Sequence, residues 1–268
     1  MSDTWINPAA ATESPEYFSR YPRVAMSRTG DGVLTVRLHL DEGPITFSLP
    51  TYQQLVQAFT DIGADPQNRV VVLTGTGDAF IGGADLGDPT ESFTPEGFDA
   101  YYWHGSRLSQ RLLDIQAPIV CAMNGRAVIH TEMPLLCDVL IAADDAYFED
   151  TGHLPGGIVA GDGVQTVWEA VLGPMQMRHF IWLRQKITAA RLHELGVVAE
   201  LHPRAAVLER AQAIAAELAK QPTLNLRYTA LALKHRFKQL FAEQVPLGMA
   251  LEGITINQAL RQMQAQGS

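Results

Sequence analysis

Two spacings of hydrophobic residues divide the chain. Residues 33–40, VLTVRLHL, alternate Leu34, Val36, Leu38 and Leu40 with Thr35, Arg37 and His39, the two-residue repeat of a half-buried strand. Residues 51–62 set Leu55, Phe59 and Ile62 at helical spacing instead. RVVVLTG (69–75) carries an unbroken β-branched run that ends on glycine, so it predicts a strand covered on both faces. A polar loop follows, then a helix around 94–115. Two more buried strands come next, PIVCAMNG (118–125) and DVLIAA (138–143). Strands alternating with helices predict an α/β architecture with a substantially parallel sheet. After about 203 the pattern becomes helical throughout, over 204–220, 224–238 and from 245 onward, with Ala, Leu, Glu, Gln and Lys dominant. Such amphipathic helices must dock on the core or on a neighbouring subunit. The expected organisation is a mobile lead-in over residues 1–18, a core over 19–203 and a helical region over 204–268.

Composition narrows the class. With 47% hydrophobic and 18% charged residues in 268, the chain is globular. A net charge of −9 argues against a nucleic-acid partner or an anionic membrane surface. The N-terminus lacks the pattern of a signal peptide, and no apolar stretch is long enough to span a bilayer. Cys121 and Cys137 sit in apolar runs, which predicts buried reduced thiols and a cytoplasmic location.

Several common sites are excluded. Gly75-x-Gly77 follows a strand, but Phe80 stands where a dinucleotide fingerprint needs its third glycine. There is no phosphate loop and no GxSxG elbow. His130-Thr-Glu132 resembles the start of a zinc deaminase motif without the PCxxC that completes it.

Three segments together resemble the crotonase (enoyl-CoA hydratase/isomerase) superfamily: VVVLTGTGDAFIGGADL (70–86), APIVCAMNGRAV (117–128) and ITAARLHELGVVAEL (187–201). The resemblance covers roughly residues 30–260. It implies a crotonase fold, a spiral of ββα units with a C-terminal helical oligomerisation region, assembled as a homotrimer or a hexamer of two trimers. In that superfamily two backbone N–H groups polarise a thioester carbonyl. The first matches Ala84, after Gly83. The second comes from a glycine run after Asn-Gly, and here Asn124-Gly125 is followed by RAVIHTE, with His130 where a glycine is required. The hydratase glutamates fall at Met133 and Gly152, so hydration of an enoyl thioester has no acid/base pair.

The stretch NGRAVIHTEMPLLCDVLIAADDAYFEDTGHLPGGIVAGDG is similar to 6-oxocamphor hydrolase and related β-diketone hydrolases. Those enzymes use no coenzyme A and cleave a C–C bond between two carbonyls with water. Their polar residues match His130, His153, Asp162 and Glu252. The resemblance therefore implies a cofactor-free, metal-free retro-Claisen hydrolase acting on a small, cyclic β-diketone and giving a keto acid. The alternative on the same fold is a CoA-thioester hydrolase or lyase.

As chemistry, His153 is the expected base, because an imidazole accepts a proton near neutral pH. Asp162 is expected to orient it. On the residues alone, Asp162 as a cap of the following helix stands slightly ahead; the resemblance reverses that order. His130 is expected to donate to a substrate oxygen, and Glu132 to be structural or solvated. Glu252 shares an apolar helical face with Gly248, Met249 and Ile256. It stands evenly between a desolvated proton carrier and a buried structural contact. Phe47 matches a tryptophan that donates to a carbonyl in the related hydrolases, and cannot donate. With Ala84 and His130 it completes the expected substrate-binding set. Asp85 and Asp138 are expected to be structural.

Overall fold

The computed structural model describes residues 14–85, 87, 88 and 94–266. In chain order its strands and helices are β1 (Val24–Arg28), β2 (Val33–Leu38), β3 (Thr46–Phe47), α1 (Leu49–Ala64), β4 (Val70–Thr74), β5 (Ala79–Ile81), β6 (Gly83–Ala84) and α2 (Pro95–Asp114). β7 (Ile119–Met123), β8 (Arg126–Ala127), α3 (Glu132–Leu135), β9 (Val139–Ala143), β10 (Tyr147–Phe148), α4 (Val164–Leu172) and α5 (Pro174–Trp182) follow. The chain then forms β11 (Ile187–Thr188), α6 (Ala189–Glu194), β12 (Glu200–His202), α7 (Arg204–Leu218) and α8 (Thr223–Gln266).

The main sheet runs β1-β2-β4-β7-β9-β12. Only the β1–β2 pair is antiparallel; Val71 lies opposite Ile119 and Cys121 opposite Leu140 in the parallel ladder. Every residue of β4 and β7 is buried, as their unbroken apolar runs require. A second sheet, β11-β10-β8-β5, stacks further along the spiral. Its strands are too short to show a period in the sequence. The expected α/β crotonase fold is the fold observed.

Two expectations change. Tyr17 belongs to the core, and its hydroxyl donates to Asp65 Oδ2 (3.0 Å) while Asn68 donates to the Tyr17 oxygen (3.0 Å). The lead-in is therefore docked from residue 16; residues 1–13 of it lie outside the described residues. Second, 224–238 and 245 onward form one helix, α8, with Pro246 inside it. A proline inside a helix costs roughly 3 kcal/mol. Burial of Phe241, Val245 and Met249 on either side of it offsets that cost, at about 1.5–3 kcal/mol per large side chain.

α8 is tied down at two levels. Lys234 Nζ donates to the carbonyls of Ile115 (2.8 Å) and Ala117 (3.0 Å) and pairs with Asp138 (3.1 Å), which also accepts the Ile119 N–H (2.7 Å). Further on, Gly248 crosses Gly161 with no room for a side chain: a Cβ on Gly248 would lie 2.2 Å from the Gly161 carbonyl oxygen. Gly248→Ala should therefore lower stability by about 1–3 kcal/mol, the usual cost of overpacking. A melting curve will show it as a drop of roughly 2–4 °C per kcal/mol, and an unchanged melting temperature would mean that α8 can slide off this crossing.

Candidate functional site

The turn that delivers His130 begins at Asn124. Its side chain accepts the Gly75 N–H and donates to the carbonyls of Gly77 and Ala79, each at 3.0 Å. Gly125 presses on the Asp78 backbone, where any Cβ would sit 2.0 Å from the carbonyl oxygen. Asn-Gly is thus fixed by this close approach. Six residues on from Asn124, His130 adopts φ +46°, a left-handed conformation that is unfavourable for a side-chain-bearing residue. The position that the resemblance marks for glycine keeps a glycine-like backbone and carries an imidazole instead. Thr131 is held beside it by the indole N–H of buried Trp168, which donates to Thr131 Oγ1 (2.8 Å).

His130 is buried and bonded at both ring nitrogens. Nδ1 donates to Glu132 Oε1 (2.9 Å) and lies 3.5 Å from Asp162 Oδ2; Nε2 meets the Tyr52 hydroxyl at 2.5 Å. Glu132 is fully buried, not solvated, and it orients this histidine. Burial alone would lower the His130 pKa, but Glu132 and then Asp162 outweigh it and the net shift is upward. Burial raises the Glu132 carboxyl. With a carboxylate facing Nδ1, the proton of the pair belongs on the imidazole.

His153 is also fixed at both nitrogens, but not as expected. Asp150 Oδ1 accepts the N–H groups of Gly152 and His153 (both 3.2 Å), an aspartate turn within the loop. The same carboxylate grips His153 Nδ1 at 3.0 and 2.9 Å. Asp150, three residues upstream, is therefore the orienting carboxylate. Asp162 instead faces the opposite nitrogen, with Oδ1 3.5 Å from Nε2, an ion-pair separation. Flanked by two carboxylates, His153 is pushed well above an ordinary histidine, against the downward pull of burial. It does not line the cavity described next. The expected base, His153, thus stands behind Asp162, paired with a carboxylate at each ring nitrogen.

Asp162 sits between the two histidines. Burial would raise its carboxyl, but His153, His130 and the Val164 N–H (3.3 Å) win and hold it well below the usual carboxylate range. The Val164 contact means that Asp162 also serves the start of α4. The cap role and the site role coexist.

Asp162, His130 and Glu252 converge on a narrow cavity of about 60 Å³, with Tyr52, Tyr101, Phe98, Ile158 and Met249 in its walls. Glu252 arrives on α8, one helical turn beyond the Gly248 crossing. It is pushed up to about 8 by burial and then by the charge of Asp162, partly countered by the two histidines. Its Oε2 is buried without a hydrogen-bond partner among the described residues. At neutral pH it is a protonated acid facing a carboxylate. Two wider grooves adjoin, one beyond Ile158 and one beyond Phe98. They are larger than the inner cavity, but neither carries the acid/base groups.

Two expected binding residues lie elsewhere. Phe47 pairs with Ala84 across β3 and β6, which turns its ring inward, fully buried, with its centroid 4.3 Å from that of His130. It supports His130 from behind. Ala84 is exposed and does not line the cavity. Both thiols are free, Cys121 buried and Cys137 half-buried. The donor atoms of His130, Glu132 and Asp162 lie within 4.8 Å of one another and could hold a metal ion; binding would require loss of the Nδ1 proton that now bridges to Glu132. None of the described helices is long and apolar enough to cross a membrane.

Comparison with known proteins agrees with this architecture. The family described as enoyl-CoA hydratase/isomerase matches residues 28–267. A Thermus thermophilus protein named provisionally as an enoyl-CoA hydratase is 34% identical over 179 residues, 65% of this chain and 70% of its own. The (7aS)-7a-methyl-1,5-dioxo-2,3,5,6,7,7a-hexahydro-1H-indene-carboxyl-CoA hydrolase of Rhodococcus jostii is 28% identical over 76% of this chain and 78% of its own. Among solved structures, the β-diketone hydrolase ABDH of the cyanobacterium Anabaena sp. PCC 7120, bound to (S)-3-oxocyclohexyl acetic acid, superposes with a TM-score of 0.88. It is 44% identical, with 91% of this chain and 98% of that chain covered. With the family model matched over nearly the whole length and the fold shared, the chain belongs to the enoyl-CoA hydratase/isomerase family, the crotonase superfamily, and is an enzyme of that family.

Proposed function

We propose that this enzyme hydrolyses a C–C bond of a cyclic β-diketone by a retro-Claisen reaction, giving a keto acid. The observation that carries the reading is that Asp162 and Glu252 share one cavity wall, in surroundings that push the first carboxyl down and the second up. Environments that push two carboxyls apart assign acid and base roles. The likeness to ABDH, a β-diketone hydrolase bound to a keto acid, supports it.

A β-diketone carries its own electron sink. Asp162 accepts a proton from water as the water oxygen attacks one carbonyl. The tetrahedral adduct collapses, and the electron pair of the broken C–C bond passes to the carbon between the carbonyls and onto the second oxygen as an enolate. Glu252 gives its proton to that carbon. The proton on Asp162 then passes to the Glu252 carboxylate, the stronger base of the two, and the site is reset. His153 and His130 keep Asp162 ionised between turnovers; Asp150 and Glu132 hold those imidazoles in place.

The experiment is an ultraviolet assay on a panel of cyclic and bicyclic 1,3-diketones, without coenzyme A and with a chelator present. Loss of the diketone with formation of a keto acid is the expected result. Turnover of an acyl-CoA with none of any diketone would favour the alternative, a CoA-thioester hydrolase or lyase, to which the naming of the Thermus and Rhodococcus relatives points.

A further inference from the structure

The proposed reaction needs a hydrogen-bond donor where the enolate oxygen forms, and His130 has no N–H left for it. Its Nδ1 is committed to Glu132 at 2.9 Å and its Nε2 to the Tyr52 hydroxyl at 2.5 Å. Tyr52 is the partner that carries this arrangement to the cavity, because its side chain forms part of the wall beside Asp162 and Glu252. We infer that the Tyr52 hydroxyl, polarised through its contact with His130, is the donor that stabilises the enolate oxygen. This rests on the C–C hydrolase reading.

The atom inventory favours it. A phenol has one O–H and two lone pairs. When Nε2–H of His130 donates to the Tyr52 oxygen, the phenolic proton must point elsewhere, and Tyr52 lines the cavity. Donation from the ring nitrogen makes that O–H a stronger donor, as in other polarised hydrogen-bond chains. Burial, reinforced by the negative charge of Asp162, holds the phenol well above its ordinary pKa, so the hydroxyl keeps its proton. The ring is also locked. Its centroid lies 5.0 Å from that of Phe47 and 5.9 Å from that of Tyr101, both edge-on, and Phe47 in turn packs on His130. A donor fixed before the charge develops is the arrangement that lowers a barrier most. No proton leaves Tyr52 in this step. The enolate oxygen accepts a hydrogen bond, and the carbon is protonated from Glu252.

The role of Phe47 follows. It cannot donate, yet it buttresses both His130 and Tyr52, so the aromatic ring serves the donor without being one. In sequence Tyr52 stands three residues before Leu55 in an amphipathic helix, where an aromatic reads as core.

The test is Tyr52→Phe, which removes one oxygen and keeps the ring, assayed on whichever diketone the wild-type enzyme cleaves. Loss of one preorganised donor should lower kcat by about 10²–10³-fold, with KM nearly unchanged. A melting temperature close to wild type would show that the loss is not one of folding. If Tyr52→Phe does not fold, 3,5-difluorotyrosine at position 52 replaces it: a more acidic phenol in the same place should change kcat rather than KM. Wild-type turnover with kcat unchanged in the variant, or with KM alone raised, overturns the inference and leaves the hydrolase reading intact. No wild-type turnover of any diketone overturns both.

Discussion

Asp162→Asn should lower kcat on a β-diketone by a factor of about 10²–10⁴, the range for loss of a positioned general base. The substitution conserves shape and keeps an oxygen for the Val164 N–H. It removes the negative charge that faces His130 and His153 across 3.5 Å on either side. Steady-state kinetics at neutral pH would check it, and an unaltered kcat would reduce Asp162 to a helix cap. His153→Ala should act in the same direction by a different route. With its ring gone, only His130 and the Val164 N–H oppose the burial that drives the Asp162 carboxyl upward. Its damage should therefore appear as a rise in the apparent pKa of the acid limb of the rate profile. Because Asp162 is held well below the carboxylate range in the intact protein, the wild-type acid limb should lie at the bottom of the accessible pH range.

Glu252→Gln carries the second large effect, of similar size on kcat, and a distinctive loss in the pH profile. The wild-type rate should fall as pH rises through about 8, where the acid that protonates the carbon ionises. The glutamine variant should lose that limb along with most of its rate. Stability should respond as well. The folded-state pKa of Glu252 lies above its ordinary value of 4.5, so the folded protein holds an extra proton between the two values. The contribution is fully present below the ordinary value and is lost as pH rises through about 8. At about 1.4 kcal/mol per unit, melting temperatures measured from pH 5 to 9 should fall more steeply for the wild type than for the variant. Parallel melting curves would mean that Glu252 is already ionised in the folded state.

Much of the fold was legible because burial on both faces leaves a plain mark: VVVL and IVCAM are β4 and β7. The helix around 94–115 is α2, capped by Thr94, whose Oγ1 accepts the Gly97 N–H (3.0 Å). The strands of the second sheet were not legible, because two or three residues cannot display a period. The helical stretches read at 224–238 and from 245 onward are one helix. The helix survives Pro246 because packing outweighs local propensity. Within the site, His130, Asp162 and Glu252 were found by resemblance, and the structure brings them to one cavity. Asp150 and Glu132 were missed as partners of the histidines, although each leaves a local signal: a carboxylate three residues before His153, and one two residues after His130, both in tight turns. Asp162 does pair with His153, but at Nε2, while the nearer Asp150 holds Nδ1. Phe47 and Ala84 were placed by pattern, and the parallel pairing of β3 with β6 carries both away from the cavity.

The crossing of Gly248 over Gly161 makes α8 a ruler. Measured from that fixed point, Glu252 stands four residues on, about 6 Å along the axis and a little over one full turn. One residue added or removed between them would swing the acid by about 100° while leaving the sheet, the loop and the other charged groups untouched. The length of this segment is therefore under a stricter constraint than its composition. Substitutions on the outward face between the two positions should be readily tolerated, and a single-codon insertion there should yield a folded protein without its acid.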